Sequence, residues 1–110
     1  MVKIKYGKNA KENWNLIDES SSDDLWFHID DYPSTHVLLE YSIEDEAKLE
    51  EYIEEAVQLC VEKTPKIKNN KNITKVKIIY TKVENIKKGK SVGEVIILNH
   101  NLVKYKIVKL

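Results

Sequence analysis

The stretch LWFHIDDYPSTHVLLEY, residues 25–41, decides the fold. It holds two alternating runs around the turn-forming segment Asp31-Tyr-Pro-Ser-Thr35, which Pro33 stiffens. Two strands joined by that loop are therefore predicted. Pairing Asp30 with His36 puts Leu25, Phe27 and Ile29 opposite Tyr41, Leu39 and Val37, an apolar face that must be core. The other face carries Trp26, His28, Asp30, His36, Leu38 and Glu40. A tryptophan and two histidines on a face turned from the core call for an explanation.

On the C-terminal side, Ser42 and Asp45 have the spacing of a capping box. Glu44, Asp45 and Glu46 crowd the first turn, where the helix dipole favours anions. Leu49, Tyr52, Ile53, Ala56, Val57 and Cys60 then recur at spacings of three and four. One amphipathic helix over about 43–63 is predicted, closed by Pro65 and a basic loop at 66–72. Three further strands follow: Lys75 to Val83, with Val76, Ile78 and Tyr80 on one face; Val95 to Leu98; and a last one in which Val103, Tyr105 and Ile107 alternate with Lys104 and Lys106. Residues 85–93 (NIKKGKSVG) read as a lysine-rich connection, and Asn99-His100-Asn101 as a hairpin turn. On the N-terminal side, Val2, Ile4 and Tyr6 form a strand ended by Gly7, and Asn9 caps a short helix. The fold class is α+β: one domain over 1–110, a mainly antiparallel sheet, the long helix on one face, and a short N-terminal helix.

A chain of 110 residues has room for one domain. Its 42% hydrophobic and 33% charged residues suit a globular fold. No apolar run is long enough for a membrane span, and the N-terminal lysines precede no apolar block of a secretory signal. A single cysteine fits a reducing, cytoplasmic setting. The net charge of zero conceals a segregation. Residues 1–41 carry 4 lysines against 8 acids, residues 42–62 carry Lys48 against 8 acids, and residues 63–110 carry 13 lysines against Glu84 and Glu94. Such a split suggests an interaction surface. All 18 basic residues are lysine, so contacts to phosphate are point charges rather than bidentate forks.

Cys60 lies on the apolar stripe of an acidic helix and reads as a small core residue. His28, His36 and Asp30 are legitimate zinc ligands, yet no recognised metal spacing is present, and neither metal nor cofactor is expected. As a cluster with Trp26, the histidines make either a binding face on which a base can stack or a set of braces within the sheet. Gly7-Lys8-Asn9-Ala10-Lys11 is either a phosphate-holding turn at a helix start or a plain strand-to-helix turn, and it lacks the P-loop pattern. The acidic helix face reads as a solvated surface or a dock for a basic partner. No serine, histidine and carboxylate fall into a catalytic pattern, so an enzyme is not expected.

GKNAKEN (7–13), DDLWFHIDDYPSTHVLLE (23–40), YIEEAVQLC (52–60), KVKIIYTKVENIKK (75–88) and GEVIIL (93–98) together resemble the NFACT-R domain. That is the RNA-binding domain on the C-terminal side of NFACT proteins, which include a ribosome quality-control factor. The family's pattern runs Gly-Arg-Asn, then Asp-x-Trp-Phe-His, then Pro-Gly-Ser-His. Here Lys8 stands for the arginine, and Ser34 and Thr35 for the glycine and serine, while Pro33 and His36 remain. The later lysine-rich loop is shorter than usual and lacks its prolines. The resemblance implies an RNA-binding module, with ribosomal RNA or tRNA as the main candidates, DNA as a further one, and the ribosome as a possible partner. The helical hairpin and coiled coil of the full-length factors have no counterpart in the chain, so their tailing activity does not carry over. The expected RNA-binding residues are Lys8, Asn9, Lys11, Asn13, Trp26, His28, His36, Lys82, Lys87, Lys88 and Lys90. The alternatives are a protein-docking adaptor that uses the acidic helix, and a small metal-dependent enzyme acting on nucleic acid.

Overall fold

A computed structural model describes residues 2–110. Its central sheet has five strands in the order β1-β3-β2-β4-β7, each antiparallel to its neighbours. These are β1 (Lys3–Tyr6), β2 (Leu25–Ile29), β3 (Val37–Glu40), β4 (Lys75–Lys82) and β7 (Lys104–Lys109). A separate hairpin pairs β5 (Ile86–Lys88) with β6 (Val95–Ile97). Three helices complete the fold: α1 (Ala10–Glu19), α2 (Leu49–Glu62) and the short α3 (Pro65–Lys68).

The larger core lies between α2 and one face of the sheet. Phe27, Ile29, Val37, Leu39 and Ile78 meet Ala56, Val57 and Cys60 there, all fully enclosed. The alternation of β2 and the stripe of α2 dictate this layer. Burial pushes the Cys60 thiol far up, as befits an inert core residue. Phe27 stacks on Tyr80 at 5.1 Å between ring centroids. Phe27→Ala is expected to cost ~3–5 kcal/mol, since it deletes a wholly buried ring that the surrounding sheet cannot collapse to fill. The denaturation midpoint of the purified variant checks this.

The long helix is in two parts. Ile43–Lys48 winds as a 3-10 segment behind the predicted capping box, and α geometry begins at Leu49. The first part has no buried residue, and the packing that supports a regular helix starts with the apolar stripe.

Several sequence-based expectations are corrected. First, the β2–β3 register is Leu25↔Leu39, Trp26↔Leu38 and Phe27↔Val37, two residues from the expected pairing. A shift of two keeps every side chain on its face. The cause is tertiary: the backbone groups of Thr35 and His36 bond to Gly7, Asn13 and Thr64 rather than to the β2 backbone. Second, residues 86–88 are strand β5, not part of a loop. Third, residues 100–102 form a 3-10 turn that crosses from the small hairpin to β7, so no hairpin joins β6 to β7. Residues 66–68 of the expected basic loop likewise belong to α3, which Pro65 opens. Fourth, β7 turns Val108 to the core and Lys106 to Glu50 and Glu54 on α2 (3.1 and 3.4 Å), leaving Tyr105 and Ile107 exposed.

The second face of the sheet is covered as well. Trp26, Leu38 and Ile86 form a smaller core with Ile17 of α1 and with Ile79, Val83, Val95 and Ile97 around them. Trp14 of α1 donates its indole N–H to the Glu94 carbonyl (2.9 Å), tying α1 to the small hairpin. Gly93 has φ 90°, which favours glycine, and a Cβ there would come within 2.8 Å of the Ala10 Cβ.

Candidate nucleic-acid interface

The site is built where four segments converge: the Gly7–Ala10 turn, the end of the β2–β3 loop, the α2–α3 junction and the tip of the β5–β6 hairpin. The Gly7 N–H donates to the His36 carbonyl (3.1 Å), and Thr35 Oγ1 donates to the Gly7 carbonyl (2.6 Å). The His36 N–H donates to Asn13 Oδ1 (3.1 Å) and the Thr35 N–H to Thr64 Oγ1 (3.2 Å). Thr64 in turn donates to the Cys60 carbonyl at the end of α2 (2.8 Å). A Cβ on Gly7 would lie 2.8 Å from the Asn13 backbone nitrogen, so the turn can press this closely on α1 only as glycine. Asn9 caps α1 by accepting from the Glu12 N–H (2.9 Å), and Glu12 reaches back to the Lys8 N–H (3.0 Å).

The segments enclose a cleft of about 560 Å³. Its lining includes Lys8, Asn9, Asn13, His28, His36, Lys63 and Lys66, with Pro33, Pro65 and Val92 as apolar walls. Lys8, Lys63 and Lys66 are exposed, and among the described residues none of them forms an ion pair. Lys63 Nζ lies over the Tyr6 ring at 4.9 Å.

The aromatic cluster sits behind the cleft. Continuing the β2–β3 register puts His28 directly opposite His36 rather than diagonal to it, and their rings meet edge to face at 4.9 Å. Trp26 stacks on His28 at 5.7 Å and donates its indole N–H to His36 Nδ1 (3.2 Å). Burial holds both imidazoles neutral: His28 falls to about 4, partly offset by Asp30, and His36 to about 3, helped down by His28. Imidazoles held this low are poorly matched to proton transfer near neutral pH. Among the described residues, no three His, Cys, Asp or Glu side chains are grouped to hold a metal.

Of the expected residues, Lys8, Asn9, Asn13, His28 and His36 come together in the cleft. Trp26 does not present its ring to a ligand. It is 3% exposed, packed beneath the small hairpin. The expectation of an open Trp/His face fails because α1 and β5–β6 form a second layer over it. Lys11 is exposed on α1 outside the cleft, and Lys87 and Lys90 are exposed on the small hairpin. Lys88 pairs with Asp18 (2.7 Å) and lies over the Trp14 ring. Lys82 pairs with Asp23 (3.4 Å) and borders a different groove, of about 380 Å³, with Tyr41, Leu49 and Leu102. Lys63 and Lys66 were not singled out from the sequence. Their signal is the Lys-Thr-Pro-Lys step that breaks the chain direction straight after an acidic helix.

A mixed sheet-and-helix domain with a lysine-rimmed cleft backed by neutral histidines suits a polyanionic ligand. Residues 2–99 match the NFACT protein RNA binding domain, and the chain belongs to that family. This is an RNA-binding family rather than a known family of enzymes. Curated relatives include coiled-coil domain-containing protein 25 of Mus musculus, 33% identical over 87 residues, and that of Danio rerio, 34% identical over 93. Each match covers 77% of this chain and 40% or 41% of the relative, so the chain spans about two-fifths of their length. The C-terminal part of the fibronectin/fibrinogen-binding protein from Streptococcus suis shares the fold, with a TM-score of 0.66 and 21% identity over 99% of this chain and 40% of that one.

Proposed function

We propose that this protein binds RNA at the cleft and its lysine rim, as a cytoplasmic accessory of ribosomal RNA or tRNA in translation-linked quality control. The observation that carries the reading is the set of uncompensated cations at the cleft mouth. Lys8 comes from the Gly7–Ala10 turn and Lys63 and Lys66 from the α2–α3 junction, yet they line one opening that, among the described residues, no acidic side chain lines. By contrast Lys5, Lys77, Lys82, Lys88 and Lys106 are paired with carboxylates on the flanks of the fold. The family's RNA-binding character supports the class of ligand.

If these three lysines and Lys87 and Lys90 neutralise about five phosphates, the log–log dependence of affinity on salt has a slope of about −3.5 on single strands. Replacing Lys8, Lys63 and Lys66 together by glutamine is expected to flatten that slope by about 2 and to weaken all RNAs alike. Lys82→Gln and Lys106→Gln are the controls, since their charges are already answered by Asp23 and by Glu50 and Glu54. Filter binding over a salt series measures both quantities. A flat profile for the unaltered protein would sink the reading.

A further inference from the structure

We propose that the cleft receives one unstacked base of a single-stranded RNA, which accepts a hydrogen bond from His36 Nε2–H. This rests on the RNA reading above and names the part of the ligand that the cleft takes. An indole N–H can only donate, so the bond from Trp26 Nε1 requires His36 Nδ1 to be without a proton. The ring's hydrogen therefore sits on Nε2. Among the described residues that nitrogen has no hydrogen-bond partner, although His36 is 4% exposed. Among the described residues, no fully enclosed side-chain nitrogen or oxygen lacks a partner, so Nε2 has an opening, and His36 lines the cleft. A buried side chain that lines the cleft thus keeps one unanswered donor that is not fully enclosed.

The surroundings select a base over a phosphate for that donor. His36 is uncharged, and drawing an anion down to it would strip the anion of water without supplying a countercharge. The countercharges, Lys8, Lys63 and Lys66, are exposed and stand at the mouth, where a backbone phosphate can keep its hydration. Pro33, Pro65 and Val92 offer apolar walls to a flat ring. The volume falls in the range of roughly 300–1,000 Å³ common to small-ligand sites. A base stacked and paired in a duplex cannot enter, so the ligand is a loop, a bulge or a strand end.

The test compares two oligomers of equal charge by fluorescence anisotropy: an octaribonucleotide carrying each of the four bases twice, and an octamer of abasic ribose phosphates. The unaltered protein is expected to prefer the first by roughly 5- to 150-fold. His36→Asn keeps an acceptor toward Trp26, and its amide N–H, on a side chain shorter than the ring, does not reach the Nε2 position. It is expected to lose most of that preference while binding the abasic octamer as before. Equal affinity of the unaltered protein for both oligomers overturns the base assignment and leaves RNA binding standing, as does a preference that survives His36→Asn. Binding of neither oligomer overturns both readings. Should His36→Asn fail to fold, the imidazole nitrogen resonances of the unaltered protein decide. The His36 Nε2–H signal is expected to move with at least one of the four nucleoside 5′-monophosphates and not with inorganic phosphate. No movement with any of the four, or the same movement with phosphate, overturns the proposal.

Discussion

Acidification from about pH 7 to about pH 4 is expected to remove several kcal/mol of stability, through two histidines that the fold keeps neutral. In the unfolded chain both imidazoles take up a proton near pH 6.5. In the folded protein His28 does so only at about 4 and His36 only at about 3, because both are shut away from water. Between these limits the unfolded state binds more protons, so stability falls as the pH falls. The loss begins near 6.5 and levels off below about 3. At ~1.4 kcal/mol per pK unit, it amounts to roughly 2–3 kcal/mol for each ring by pH 4. Asp24 works in the opposite sense, since burial raises its carboxyl and favours its protonation in the folded state. Urea unfolding at three pH values in this window measures the effect, and His36→Asn is expected to remove about half of it. A stability unchanged between pH 7 and pH 4 would mean that the two rings titrate freely in water.

Trp26→Ala is expected to be at least as damaging as the loss of Phe27. The indole is the centre of the smaller core, between Leu38 at 1% exposure and Ile86 at 7%. Its removal leaves a cavity that β2, β3 and β5 cannot close, at a cost of ~3–5 kcal/mol. The bond to His36 Nδ1 adds about 1 kcal/mol. For a domain of this size the melting temperature should fall by at least about 12 °C. Trp26→Phe fills most of the space but lacks the donor. That variant should recover most of the stability while freeing His36 to move its proton to Nδ1. A tryptophan serving as an open stacking platform makes the contrary forecast: its alanine variant would melt within a few degrees of the unaltered protein. Calorimetry on the two variants separates these outcomes.

The parts of this architecture that depend on short-range chemistry were open to reading. Alternation in Leu25–Ile29 and Val37–Glu40 settles which side chains share a face, and it survives a register error of two residues because the strand period is two. The spacing from Leu49 to Cys60 orients α2, and Ser42 with Asp45 marks its start. Asn9 as the cap of α1 follows from the same local rule. Strand β5 was obscured because Ile86-Lys87-Lys88 is only three residues long and two of them are charged. So short a strand has almost no periodicity, and its pairing with β6 supplies what its sequence lacks.

The sequence by itself determined the α+β class, the core face of β2, the orientation of α2, the segregation of charge, and the tract from Trp26 to His36 as the most telling one. Only the tertiary structure decided where the side chains of that tract lie. Whether an aromatic side chain on the second face of a sheet is wet depends on what lies above it. Here α1 and a hairpin some 60 residues downstream of Trp26 cover it. The cleft is likewise non-local: Lys8 and Lys63 line one wall system because Thr35 and His36 are hydrogen-bonded to Gly7, Asn13 and Thr64 across the sequence. Period and composition report which neighbours a residue has along the chain, whereas burial, tautomer and ion pairing are set by neighbours that only folding brings near.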